Sequence, residues 1–231
     1  MPSIALHLIS SMATRRLLVE LTQLYGQLHP GQPIHLEAVG GVDAARRVQA
    51  GEPFDVVLLG SDSIDRLMAD GHLLTGTRVD VVRSEVMVAV RAGEPQPDIS
   101  SEAALRHAVL SARTVGCSTG PSGVALGRLF ETWGIAGQVR DRLVVAPPGT
   151  PVGALIANCE IELGFQQRSE LTDLPGIDVI GPLPESVRIT TIFAGAVATR
   201  ALQPDAARAF LAFLAEPATV DIKRANGMDV A

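Results

Sequence analysis

Phe54-Asp55-Val56-Val57-Leu58-Leu59-Gly60-Ser61-Asp62 decides the fold class. Its unbroken apolar run reads as a strand buried on both faces, as in parallel sheets covered by helices. Gly60-Ser61-Asp62 then turns the chain into a predicted helix from Ser63 to Ala69, followed by Gly71. Upstream the same unit occurs twice. Ile4 to Ile9 is an apolar run, Ser10-Ser11 are N-cap candidates, and Leu17, Leu18, Leu21, Leu24 and Leu28 recur at helical spacing. Pro30-Gly31 stop that helix. Ile34 to Val39 reads as a second strand, Gly40-Gly41 as a turn, and Asp43 to Ala50 as a helix ended by Gly51. Three strand–helix units in succession predict a parallel sheet with right-handed crossovers.

Downstream, Val79 to Val90, interrupted by Arg83-Ser84-Glu85, reads as an extended connection followed by a strand, and the first passage between lobes is placed here. Ser100 caps a predicted helix through Ala112, and Thr114 to Ser118 is a strand. Thr119-Gly120-Pro121-Ser122-Gly123 leads into a helix ending near Trp133. A strand near Leu143 to Ala146, a helix from Pro151 to Asn158 and a strand from Ile161 to Phe165 follow. The β-rich stretch Val187 to Thr199 precedes helices over Pro204 to Ala215 and Ala218 to Ala225.

Composition narrows the function. The 231 residues are 47% hydrophobic but only 3% aromatic, which suits layered helices and strands and weighs against aromatic stacking of sugars or single-stranded nucleic acid. With a net charge of −6 and no run of Lys or Arg, there is no footprint for a nucleic-acid backbone, so an anionic ligand must be captured by backbone N–H groups or single arginines. Cys117 and Cys159 lack a metal-ligand spacing and are expected to be buried thiols. His7, His29, His35, His72 and His107 show no i, i+4 pairing, so no metal site is predicted and nothing requires a cofactor. No apolar run reaches the roughly 18 residues of a membrane span. The N-terminus reads directly as a strand, so the expected location is cytoplasmic as written, and periplasmic if a leader was removed.

Four strand-to-helix turns are rich in Ser, Thr or Gly: Ser10-Ser11, Gly40-Gly41, Gly60-Ser61 and the stretch Ser118 to Gly123. Ligands of parallel sheets sit beyond the carboxyl ends of the strands, where helix N-termini offer free N–H groups. Ser10, Ser11, Gly40, Gly41, Ser61, Thr119, Ser122 and Gly123 are therefore candidate ligand-binding residues. Thr119-Gly120-Pro121-Ser122-Gly123 departs from the Gly-x-Ser-x-Gly elbow of hydrolases at its first residue.

Gly51-Glu52-Pro53-Phe54-Asp55-Val56 followed by Leu67-Met68-Ala69-Asp70-Gly71 resembles the G-x-P-x-D-V…L-x-x-x-G pattern of molybdate-type solute-binding proteins. The resemblance covers nearly the whole chain. It implies the type II periplasmic-binding-protein fold, an α/β architecture of two lobes. Each lobe is a mostly parallel sheet flanked by helices, and two crossover strands join them, with lobe 1 at 1–82 plus 192–231 and lobe 2 at 83–191. Val88 to Gly93, Pro97-Asp98-Ile99-Ser100, Gly164-Phe165-Gln166-Gln167 with Ser169-Glu170-Leu171, and Gly181-Pro182-Leu183-Pro184 resemble a subgroup that includes bacterial aconitate isomerase.

Two departures from the molybdate pattern bear on the ligand. Where that group has a serine in the second turn, this chain has Gly40-Gly41-Val42, and where it has a tyrosine after the Gly-Phe strand, this chain has Gln166-Gln167. Glutamine amides both donate and accept, which suits an organic polycarboxylate better than a bare oxyanion. Arg83, beside Ser84, is the candidate fork for a carboxylate. Allylic isomerisation needs a general base, for which Glu37 and His7 are the candidates. Three functions follow: an isomerase of an unsaturated polycarboxylate, a non-enzymatic binder of an oxyanion or carboxylate serving an ABC permease if exported, or a ligand sensor acting through a separate partner. All three take a small anion as partner, and none requires nucleic acid or membrane insertion.

Overall fold

The computed structural model describes residues 4–147 and 149–231, which form two compact units. Unit 1 runs up to Ser84 and resumes over Ile192–Ala231, whereas unit 2 is Glu85–Thr191. Unit 1 begins with β1 (Leu6–Ser11), a tight turn of helix at Met12–Thr14 and α1 (Arg15–Leu28). It continues with β2 (Ile34–Val39), α2 (Gly41–Gln49), β3 (Val56–Gly60), α3 (Ser61–Ala69) and β4 (Val79–Arg91), which carries the chain into unit 2. There follow α4 (Glu102–Ser111), β5 (Val115–Cys117), α5 (Pro121–Thr132), α6 (Ala136–Val139), β6 (Leu143–Val145), α7 (Val152–Ala157), β7 (Leu163–Gln167), α8 (Arg168–Leu171) and β8 (Ile177–Pro182). The chain returns through β9 (Thr190–Val197) and finishes unit 1 with α9 (Pro204–Leu214), α10 (Val220–Ala225) and β10 (Asp229–Val230).

In unit 1 the strand order is β2-β1-β3-β9-β4, with β1, β2 and β3 parallel and β9 antiparallel to β3. Helices cover both faces. Leu6, Leu8, Val56 and Leu58 pack with Leu17, Leu21, Tyr25, Phe210 and Leu211, while Ile9, Val57 and Leu59 pack with Ala44, Val48, Ile64 and Leu67. Each such Leu, Ile or Val contributes about 1.5–3 kcal/mol when fully buried, which is why β3, Val-Val-Leu-Leu-Gly, shows no polar alternation. Asp55, the acid of the Pro-x-Asp motif, is buried and structural. Its Oδ2 accepts from His7 N at 2.9 Å and its Oδ1 from Gln203 N at 2.9 Å, tying β1 and the start of α9 to β3.

In unit 2 the order is β4-β7-β5-β6, with β8 also on β4; β5, β6 and β7 are parallel and β4 runs against β7. Glycines let the layers approach. A Cβ on Gly164 would lie 2.4 Å from Ile156 Cδ1, and one on Gly116 would lie 2.3 Å from Ile161 Cδ1, so only hydrogen fits beneath those isoleucines.

Three expectations need correction. Arg83-Ser84-Glu85 does not interrupt a strand: β4 runs through it, because β10 pairs opposite Val82 and Arg83 and the next residues pair within unit 2. The strand β8 was not foreseen, since Gly181 and Pro182 at its end disguise it. Cys117 is buried as expected, whereas Cys159 is exposed at a left-handed φ of 64° just after α7.

Candidate functional site

Because β1, β2 and β3 are parallel, their carboxyl ends at Ser11, Val39 and Gly60 meet on one sheet edge, where the helical segments that follow them also begin. Ser11 pairs in register with Val39, and Ser10 with Leu58. The helices α2 and α3 follow Gly40 and Gly60, which have no side chain to accept a first-turn N–H, so those amides remain open donors at a positive helix end. Gly41 leaves room at this edge: a Cβ there would lie 3.8 Å from Ser11 Cβ, an ordinary contact. Ser61 opens α3. Asp43 and Asp62 in the first turns offset part of the positive potential, Asp43 itself being paired with Arg46 at 2.8 Å.

Ser10 and Ser11 are buried, and neither caps a helix as the sequence suggested, because α1 starts beyond an intervening turn, after Thr14. Ser11 Oγ shares a 3.5 Å hydrogen bond with Thr14 Oγ1, and Ser10 Oγ donates to Ser11 O at 3.3 Å. These long, weak bonds leave both hydroxyls free to turn toward a ligand. Arg15, which sequence reasoning passed over, is exposed in the first turn of α1. A cation at that end opposes the helix dipole, so Arg15-Arg16, four residues after the Ser-Ser strand end, was a legible signal.

Unit 2 has its own edge, where Cys117, Val145 and Gln167 end β5, β6 and β7 and where α5, α7 and α8 start. Here α5 follows Gly120, has Pro121 in its first turn and no acidic residue there. Ser118 and Ser122 hydroxyls share a 3.1 Å bond, and Gly120 N donates to Ser118 Oγ at 3.3 Å. Thr119 between them is exposed. A Cβ on Gly123 would fall 1.8 Å from Ser118 O, so this turn closes only around glycine. Gln166 and Gln167 are both buried. Gln166 Oε1 accepts from Val152 N at 2.8 Å, and Gln167 Nε2 donates to Thr191 Oγ1 at 2.6 Å. Gln167 Oε1 and Ser169 Oγ are buried without a partner among the described residues. Glu170, on α8, is half-buried, and burial raises its carboxyl to about 7.

Of the other residues singled out from sequence, Ser84 is buried on β4 with its Oγ unpartnered among the described residues, and Arg83 beside it is exposed. His7 sits at the amino end of β1, away from the Ser11 edge, its ring 5.4 Å from that of His35. Glu37 Oε2 accepts from Arg47 Nη1 at 2.8 Å, and its Oε1 lies 3.9 Å from His35 Nε2, so its carboxylate is already engaged by the Arg47 guanidinium. Among the described residues no group of His, Cys, Asp or Glu is placed to hold a metal ion, and no helix is long and apolar enough to cross a membrane.

A profile of bacterial extracellular solute-binding proteins matches residues 6–229. The chain belongs to that family. This solute-binding-family chain is also 40% identical over 172 residues to an aconitate isomerase from Pseudomonas sp. The match covers 73% of this chain and 64% of the relative's length. The fold is that of the periplasmic molybdate-binding protein of Azotobacter vinelandii, with a TM-score of 0.79, 16% identity, and coverage of 98% of this chain and 99% of that one. It is also that of a sulfate-binding protein of Mycobacterium tuberculosis, with a TM-score of 0.78, 15% identity, and coverage of 98% and 87%. At such identities these neighbours speak to fold alone. This chain has a serine pair ending β1, Gly41 with no hydroxyl opening α2, and Gln167 at the end of β7.

Proposed function

We propose that the protein binds a small unsaturated polycarboxylate and isomerises it by allylic proton transfer, with cis- and trans-aconitate as the substrates to try first. The observation that carries this reading is the 40% identity to an aconitate isomerase over 172 residues. The edge of unit 1 supports it with uncapped amides of α2 and α3, the Ser10 and Ser11 hydroxyls and the Arg15 guanidinium, donors suited to a carboxylate. Such donors also suit the enolate charge that develops when an allylic proton leaves. Incubation of the purified protein with either aconitate isomer, followed by chromatographic separation, tests the reading. Enzyme-dependent formation of the other isomer is expected, and its absence at saturating substrate contradicts the isomerase.

A second reading, binding without chemistry, is favoured by the fold shared with molybdate- and sulfate-binding proteins. Under it a transport permease is the natural partner. Calorimetric titration separates the two ligand classes: tighter binding of trans-aconitate than of molybdate or sulfate supports the polycarboxylate site, and the reverse order supports the oxyanion binder.

A further inference from the structure

We propose that unit 2 carries a second ligand site, for a small organic ammonium ion with an apolar body, in a cavity at the end of its sheet opposite Cys117 and Gln167. The cavity holds about 520 Å³, which lies in the range of small-molecule pockets. It rests on neither functional reading, because every residue lining it belongs to unit 2 and none to the edge where β5, β6 and β7 end. Leu163, which lines it, opens β7, whereas Gln167 closes that strand four residues on, about 13 Å away at the rise of a β-strand.

The walls follow from the sequence. Val90 near the end of β4 and Leu163 are buried in the sheet, and Ala104, Ala108 and Ala112 recur every four residues along one side of α4. Their methyl groups stop short of the facing loop, and the cavity is the space between. That loop supplies Pro95, Pro97 and Asp98. Proline fixes φ, Gly93 N donates to Asp178 Oδ2 on β8 at 3.1 Å, and Ser100 N donates to Asp98 Oδ1 at 2.8 Å, so the wall is held at both ends. A pocket formed before its ligand arrives spends less of the binding free energy on ordering.

The polar groups choose the ligand. Asp98 and Glu162 line the cavity, and among the described residues no Lys or Arg does. The hydrogen bonds from Ser100 hold the Asp98 carboxyl below its ordinary value, so it is ionised at neutral pH. Arg113 N and Nε both donate to Glu162 Oε2 at 2.9 Å; a carboxylate has about four acceptor positions, so Glu162 keeps room for a further donor. His107 Nε2 and Ser111 Oγ share a 3.4 Å bond at the rim. Two carboxylates over an apolar floor repel an anion and suit an ammonium group, which has donors only, carried on a hydrocarbon body that covers the floor.

Calorimetry and amide NMR at pH 8 with phenethylammonium test the site, with phenethyl alcohol and 3-phenylpropionate as its neutral and anionic counterparts. A Kd below about 1 mM is expected for the ammonium ion, with the alcohol about ten-fold weaker and the carboxylate weaker still. Shift changes should centre on Ala104, His107 and Leu163, and added salt should weaken binding. Asp98→Asn should cost about ten-fold in affinity, and Ala104→Phe, which fills the cavity, should abolish binding. No binding of the ammonium ion, equal binding of either counterpart, shift changes centred on Ser11 or Gln167, or an Asp98→Asn protein within about two-fold of wild type each overturns the assignment. Should Ala104→Phe fail to fold, Asp98→Asn on the exposed loop decides alone.

Discussion

The two sheet edges use the same strand–helix grammar for different ends. At the edge of unit 1, α2 and α3 begin after bare glycines, and the serine hydroxyls make only long internal bonds, so donors are left over for an anion. At the edge of unit 2 the polar groups are mostly bonded to one another. Ser118 is bonded with Ser122, Gln166 with Val152 and Gln167 with Thr191, and Glu170, on the short helix after β7, has its carboxyl pushed up to about 7 by burial. At the first edge donors are left over to receive charge; at the second most side-chain groups are engaged, with Gln167 Oε1 and Ser169 Oγ left unpartnered among the described residues. Serine and glycine turns alone therefore do not reveal function; which of their hydrogen bonds are already used does.

Glycine substitutions should break this contrast most visibly. Gly123→Ala drives a Cβ to 1.8 Å from Ser118 O and should cost about 3 kcal/mol in thermal unfolding. Gly41→Ala meets only Ser11 Cβ at 3.8 Å and should stay within about 1 kcal/mol of wild type while weakening anion binding at its edge. Equal losses from both would erase the distinction.

Next comes the pH dependence of stability. The folded-state value of Glu170 is raised from 4.5 to about 7, so between those values the folded protein holds more protons than the unfolded chain. Its contribution is fully present below pH 4.5 and is lost as pH rises through about 7. Glu170→Gln should therefore be more stable than wild type at pH 8, by on the order of 1–3 kcal/mol, with the difference gone at acid pH, as read by denaturant unfolding. Ser11→Ala should lower trans-aconitate affinity about ten-fold in calorimetry with little change in melting. The smallest effect belongs to Glu37→Gln. Its ion pair with Arg47 is part-exposed, and the loss of stability should be under about 1 kcal/mol.

Much of the fold was legible because burial on both faces forces an unbroken apolar strand, as in Val56-Val57-Leu58-Leu59, and because glycine and proline mark where helices stop. The turns of the candidate edges could be read for the same reason. Hydrogen-bond bookkeeping could not be read: nothing local in the sequence says that Gln166 spends its oxygen on Val152 while Gln167 keeps one free. Nor could the raised titration of Glu170, which comes from burial that only the folded chain provides. Glu37 lies near a strand end, but Arg47, in the last turn of α2, pairs with it.

Proton NMR of the wild-type protein with cis-aconitate in deuterated water tests the central claim most directly. Allylic proton transfer predicts the trans isomer together with solvent deuterium in the recovered acid. An unchanged spectrum, from protein shown by calorimetry to bind the acid, would contradict the isomerase and leave a binding protein.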